Sequence, residues 1–304
     1  MESKVENLIK WFEKERSINF DDFSHLKVKK YEGMGYGVCY TGEDKEYRYG
    51  GYGGSILLWI PYRLILSSEN IGEKTNFLRQ LNFKVDKIRS SFRSSYENLH
   101  KKELDLDLKE HEIDEAVLTM FLVYCKNNKK EEHYWKPYTD FISDLPEQGV
   151  FQHMSNDYYN TVLITVKELY KETELELKAK IPNPNENDSE YRLMYSIVKT
   201  RASKFIDPST GRVGNTYLIP FFDFLNHRKR TIQSESGGEK KVGSFTIYYN
   251  NYDGKNNAFV SPQPSEVIKL TNDEQVFIHY GEELNHHGIG EELQQQTQIQ
   301  APPK

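Results

Sequence analysis

The apolar residues of this chain change their spacing twice, and that change restricts what it can fold into. A helix signature comes first: Val5, Leu8, Ile9 and Phe12 fall at i, i+3, i+4 and i+7, one face of a helix. Ser3 and Glu6 fit a capping box, which satisfies free amides at a helix start. After Ser17 the pattern becomes short and strand-like. Glycines punctuate Tyr31-Glu32-Gly33-Met34-Gly35-Tyr36-Gly37-Val38, and a second cluster, Gly50-Gly51-Tyr52-Gly53-Gly54, reads as a hairpin loop. Ile56-Leu57-Leu58-Trp59-Ile60-Pro61 reads as a buried strand ended by proline. From about 70 to 195 the spacing is helical. Ile113, Ala116, Val117, Met120, Phe121 and Tyr124 keep it throughout, and Val162, Leu163, Val166, Leu169 and Tyr170 mark another helix. Between them, Trp135-Lys136-Pro137-Tyr138 leads into Phe141-Ile142-Ser143-Asp144-Leu145-Pro146, which reads as a proline-punctuated loop with aromatic anchors. Ile181-Pro182-Asn183-Pro184-Asn185-Glu186-Asn187-Asp188 breaks the helical run. From about 190 strands return, with a helix predicted over 195–204.

Composition narrows the classes. A chain of 304 residues buries a large core as one elaborate domain or two ordinary ones. Charged residues at 28% and a mean hydropathy of -0.76 predict a soluble protein. No apolar stretch approaches the roughly 20 residues that span a bilayer, and Met1-Glu2-Ser3-Lys4 does not open a signal peptide. Cys39 and Cys125 make neither a disulfide framework nor a four-ligand zinc site. A reducing compartment follows as the expectation, cytoplasmic or nuclear. His286-His287 lack cysteine or carboxylate at ligand spacing, so no metal is expected. The net charge of -6 argues against general nucleic-acid affinity and is compatible with a basic peptide or protein partner. The Gln-rich end, 286–304, has the composition of a disordered tail.

Two motifs carry the chemistry. Asp223-Phe224-Leu225-Asn226-His227 follows the apolar run Tyr217-Leu218-Ile219-Pro220-Phe221-Phe222. Roughly fifty residues later, Val276-Phe277-Ile278 runs into His279-Tyr280-Gly281, with Asn285 just beyond. A buried Asn-His pair must find hydrogen-bond partners, because each unpaired buried polar group costs about 1–3 kcal/mol; a structural loop or a polar ligand can supply them. Gly35-Tyr36-Gly37 lets the backbone approach a ligand closely, or makes an ordinary turn. Arg201 by itself reads as a surface charge or a structural ion pair. Tyr280 ends an apolar strand, the usual place of a core tyrosine with a wet hydroxyl.

Taken in order, the N-terminal helix, the Gly-x-Gly entry, the strand ending in Pro61, the helical stretch with Trp135-Lys136-Pro137-Tyr138, Thr200-Arg201-Ala202, Asp223 to His227, and Tyr280-Gly281 resemble the Rubisco large-subunit methyltransferase-like branch of SET-domain proteins. The likeness covers about 3–285. It implies an α+β fold: a knotted, mostly β SET core interrupted by a helical insert. Its parts would be 1–75 for the N-terminal part of the core, 76–195 for the insert, and 196–285 for the C-terminal part with its cofactor and catalytic motifs. The resemblance makes S-adenosylmethionine the cofactor, held by Met34, Gly35, Tyr36, Arg201, Asn226 and His227. Asp223 joins them, fixing the loop or facing the substrate channel. It makes Tyr280 the catalytic tyrosine.

Three departures stand out. The family shows Ser-Arg-Ala-Phe where this chain has Thr200-Arg201-Ala202-Ser203. The glycine cluster at 50–54 has no counterpart. The aromatic lid and helical substrate-binding domain that the family places after the tyrosine motif are missing from this sequence. The activity implied is methyl transfer to a protein lysine on a non-histone substrate, with neither nucleic acid nor membrane as partner. A histidine acceptor is an alternative within the same chemistry, and a non-catalytic protein-binding module is an alternative outside it. Tyr248, Tyr249 and Tyr252 line a substrate channel or simply pack a strand, since aromatic residues favour strands.

Overall fold

In the computed structural model the described residues are 2–16, 21–32, 35–48, 55–68, 70–71, 106–145, 156–173, 175–206, 213–227, 231–233, 239–241, 245–252, 255–262 and 266–279. In chain order the first elements are helix α1 (Glu2–Arg16) and strands β1 (Leu26–Tyr31), β2 (Gly35–Tyr40), β3 (Lys45–Arg48) and β4 (Leu58–Ile60). Helices α2 (Leu106–Asn127), α3 (Lys136–Ile142), α4 (Asn156–Glu172), α5 (Leu175–Lys178) and α6 (Asp188–Arg201) follow. Strands then return as β5 (Ala202–Ile206), β6 (Val213–Leu218), β7 (Asn226–His227), β8 (Thr231–Gln233) and β9 (Glu239–Lys241). The last are β10 (Phe245–Tyr252), β11 (Lys255–Pro262), β12 (Val267–Leu270) and β13 (Phe277–His279). The chain is mixed α+β, and it forms two compact units: 1–12 with 65–220, and 13–64 with 221–304. The glycine cluster at 50–54 and the tail at 286–304 lie outside the described residues.

The helical unit is built around α2. Ala116, Leu118, Phe121, Leu122 and Val123 are wholly buried, and the helix is buried on every side from Ile113 to Cys125. It packs against α3, α4, α6 and β6. Two carboxylates sit in this core, and both are partnered. Ser68 Oγ donates to Asp114 Oδ1 at 2.6 Å, and the Thr216 amide donates to Asp114 Oδ2 at 3.2 Å. Tyr195 donates to Glu115 at 3.2 Å, and Lys199 pairs with it at 3.3 Å. The buried charges are thereby compensated. β5 and β6 form an antiparallel hairpin, and Leu218 exchanges backbone bonds of 2.9 Å with Leu66.

Three local expectations are corrected. Residues 136–142 form a helix, not a loop, with Pro137 in the first turn, where its missing N–H costs nothing. Trp135, Tyr138 and Phe141 are buried there. The helix expected over 195–204 begins at Asp188 and ends at Arg201, and the chain from Ala202 is strand. α1 begins at Glu2, so Ser3 lies in its first turn rather than capping it; Val5, Leu8 and Phe12 are buried as the spacing required.

In the strand unit, a five-stranded sheet runs in the order β4-β11-β10-β13-β7. β4, β11 and β10 are antiparallel neighbours, whereas β13 pairs parallel with both β10 and β7. β1 and β2 form a separate antiparallel pair, from Leu26 opposite Tyr40 to Tyr31 opposite Gly35. β2 also reaches 273–276: the Tyr40 amide donates to Glu274 O at 2.8 Å, and the Val276 amide to Val38 O at 2.8 Å. Leu57, Leu58 and Ile60 are fully buried beside Pro61, as the apolar run predicts. Asp21 is buried with Arg16 as its ion-pair partner, and it accepts the Trp59 amide at 2.7 Å, fixing the start of β4.

Candidate functional site

The two glycines of Gly35-Tyr36-Gly37 are needed for different reasons. Gly35 opens β2 at φ 78, with nothing within 4 Å of where a Cβ would stand. Its requirement is the left-handed backbone, which a side chain strains. At Gly37 the requirement is space. A Cβ there would lie 2.6 Å from Asn226 Nδ2, 2.8 Å from Gln275 Nε2 and 2.8 Å from Tyr31 Cδ2. The strand predicted to approach a ligand therefore packs directly against the asparagine of the second motif.

Asn226 is delivered by an aromatic turn. Phe221 is almost wholly buried and holds φ 75, a conformation that bulky residues rarely adopt. The turn at 222–224 is closed by the Phe224 amide donating to Phe221 O at 3.1 Å and the Leu225 amide to Phe222 O at 2.9 Å. Phe221 meets Phe23 and Phe224 edge-on, at 5.0 and 5.6 Å between centroids, and Tyr36 meets Phe224 at 6.3 Å. Asp223 is half-buried on this turn. β7 then pairs parallel with β13, with Asn226 opposite Phe277 and His227 opposite Ile278. Motifs far apart in the chain are thus backbone neighbours, and Tyr280 follows directly on His279, the last residue of β13.

The strand unit brings together Gly35, Tyr36, Asp223 and Asn226, with the backbone of His227. The His227 side chain, Met34 and Tyr280 lie outside what is described. Arg201 belongs to the other unit, half-buried at the end of α6. Tyr248 is stacked on Phe259 at 5.3 Å and donates to Pro262 O at 3.3 Å, so it packs its own hairpin. Tyr249 and Tyr252 lie on β10 with side chains outside the described set.

The sequence did not single out Tyr31 and Gln275 as site residues. Both converge on Gly37. Gln275 Nε2 and Asn226 Nδ2 are shut off from solvent and have no hydrogen-bond partner of normal geometry. Two such atoms against one glycine are unusual, because buried polar groups are nearly always paired. Burial, then the neighbouring Cys39, pushes the Tyr31 hydroxyl above the ordinary tyrosine value, so it remains a donor at neutral pH. At the rim, Lys29 pairs with Asp273 at 2.6 Å; the lysine is raised and the aspartate lowered chiefly by this bond. Both are in solvent, where such pairs contribute little. Asn226 and Gln275 thus bring buried amide donors to the strand whose Tyr36 meets Phe224.

No protein-family model matches the chain, and no curated protein matches it significantly.

Proposed function

We propose that this chain is a SET-type protein methyltransferase that uses S-adenosylmethionine and modifies a lysine side chain of a protein, on a mostly β, knotted core interrupted by its helical unit. The observation that carries the reading is the parallel pairing of β7 with β13, which sets Asn226 and His227 beside the strand that runs into Tyr280, while Gly37 presses against Asn226. The unpartnered amide nitrogens of Asn226 and Gln275 are donors of the kind that the cofactor's polar end accepts from. The Tyr36–Phe224 pair suits its cationic sulfonium. Gly35, Tyr36, Asp223 and Asn226 would hold it, joined, by the resemblance, by Met34, His227 and Arg201. When bound, S-adenosylmethionine supplies an activated methyl group.

The chain's own residues have three tasks. The first is alignment: an in-line displacement needs the acceptor nitrogen held behind the methyl, and orientation of this kind supplies much of the rate. The second is deprotonation. A lysine amine of ordinary pKa costs about 4.6 kcal/mol to neutralise at pH 7, and an apolar channel reduces that cost by disfavouring the ammonium. The third belongs to Tyr280, whose hydroxyl the resemblance places beside the reacting nitrogen. The net charge of -6 favours a basic, lysine-bearing segment as partner. Among the described residues no helix is long and apolar enough to cross a membrane.

The test is transfer of labelled methyl from S-adenosylmethionine to proteins of a lysate, followed by mass spectrometry of the modified residue. Methylated lysine is the expected product, and Asn226→Ala with Tyr280→Phe abolishes it. Label transfer undiminished by the double substitution would overturn the mechanism. Methylhistidine in its place would keep the enzyme and change the acceptor.

A further inference from the structure

Phe221 breaks a local rule at the start of the second motif. Its backbone stands at φ 75 and ψ -28, the left-handed region. Among the described residues Asp273 is the only other non-glycine with positive φ, and aspartate tolerates that region far better than a bulky side chain does. Phe221 also occupies the N-terminal cap of the turn at 222–224, where its side chain makes no capping bond. Glycine or asparagine would meet both demands at less cost. What phenylalanine adds is its ring, 1% exposed and edge-on to Phe23 at 5.0 Å and to Phe224 at 5.6 Å. Phe224 in turn meets Tyr36 of β2 edge-on. Four rings in series therefore tie the strained residue to the Gly-x-Gly strand. Strain of this kind persists only where the surroundings over-determine it, and it clusters at functional sites.

We propose that Phe221 is a positioning residue of this site: its left-handed backbone, clamped by its own ring, aims the turn that carries Asp223 and delivers Asn226 to β7. The Phe221 carbonyl accepts the Phe224 amide at 3.1 Å, so the torsions of this one residue set how the turn begins. At the far end of the turn Asn226 lies opposite Phe277 of β13, and its Nδ2 stands 2.6 Å from where a Cβ on Gly37 would be. Packing that close leaves no room for a turn started at another angle to bring Asn226 to the same place. Phe221 acts through Asn226 and Asp223 and touches no reacting atom. Its part in ligand binding rests on the cofactor reading above; its part in setting the turn does not.

Two matched pairs of variants separate the backbone from the ring. Phe221→Ala and Phe221→Gly lose the same ring, but only glycine takes the left-handed region freely. Phe221→Leu and Phe221→Ile carry isomeric side chains, and the β-branch of isoleucine fits that region worse. Within each pair the comparison is of calorimetric titration with S-adenosylmethionine, thermal unfolding without ligand, and hydrogen exchange at the Phe224 and Leu225 amides that close the turn. All the variants should melt below the parent, because a buried ring is lost or replaced by a poorer fit. At temperatures where every variant is folded, Phe221→Ala should bind about tenfold more weakly than Phe221→Gly, and Phe221→Ile about threefold more weakly than Phe221→Leu. The weaker binder of each pair should also exchange its turn amides faster, by about the same factors. Equal affinities within each pair, with the differences confined to melting, would make Phe221 a core residue and overturn the proposal. Unequal affinities with equal exchange would overturn it too, since the turn would then not be the cause. A parent that does not bind S-adenosylmethionine overturns the cofactor reading, and the exchange comparison then decides alone whether Phe221 sets the turn, equal rates refuting it. Should Phe221→Ala not fold, the leucine and isoleucine pair carries the comparison.

Discussion

Replacing Gly37 by alanine sets a methyl carbon 2.6 Å from Asn226 Nδ2 and 2.8 Å from both Gln275 Nε2 and Tyr31 Cδ2. Carbon and nitrogen atoms in ordinary contact stand about 3.5–4.0 Å apart, so all three neighbours must retreat by roughly an ångström. The two amides are ends of flexible side chains and can turn away. The Tyr31 ring is stiffer, and its strand is paired to β2 along its whole length. Overpacking of this kind costs about 1–3 kcal/mol. A kcal/mol corresponds to about 2–4 °C in a domain of 150–250 residues, so the midpoint of unfolding followed by circular dichroism should fall by about 2–12 °C. Ligand binding should suffer more than stability, because the methyl displaces the Asn226 amide itself; a loss of tenfold or more in S-adenosylmethionine affinity is expected. Gly35→Ala is the control. Its methyl meets nothing within 4 Å, but φ 78 is strained for alanine, at about 1–2 kcal/mol, with affinity changed only through the backbone. The reasoning fails if Gly37→Ala leaves both melting and affinity untouched, or if the two alanines cannot be told apart by their ratio of affinity loss to stability loss.

Two further outcomes concern the helical unit. His133 is held down to about 4 by burial first and then by Lys136. The unfolded chain therefore binds a proton here that the native state refuses, and stability is lost as pH falls from about 6.5 towards about 4, by up to about 3 kcal/mol; urea midpoints across this range should flatten in His133→Gln relative to the parent, and parallel curves would refute the shift. Asp114→Asn puts an amide where two donors, Ser68 Oγ and the Thr216 amide, now find carboxylate oxygens; leaving one donor unmet should cost about 1–3 kcal/mol, read as a shift in the urea midpoint without a change in slope.

Much of this architecture is legible in the sequence where local pattern decides it. The spacing over 113–124 lies inside α2, and Pro61 stops β4. Misreadings arose where one residue carries two signals. Pro137 punctuates a loop or starts a helix, and only the buried Trp135, Tyr138 and Phe141 choose the latter. Val198 to Arg201 continues a helix by propensity, but the hairpin with β6 claims the chain from Ala202 onward, a tertiary override of local preference. The neighbours of Gly37 were hidden for a different reason. Tyr31 and Gln275 are ordinary strand-end residues until β2 pairs with the segment at 273–276, and no short window contains both.

That pairing also sets an order of assembly. Cys39 meets Gln275 across most of the length of the chain. The helical unit, by contrast, draws most of its residues from the continuous stretch 65–220. During synthesis, domains fold as their sequences emerge, and long-range strand pairing must first meet the entropy of closing its loop. The helices can close around α2 while the polypeptide is still growing. β2, paired on one side with β1, must wait for 273–276 to leave the ribosome, with its other edge open to solvent and to chaperones. The residues around Gly37 are thus the last to meet, and a nascent chain halted before 275 would carry a folded helical unit with no site.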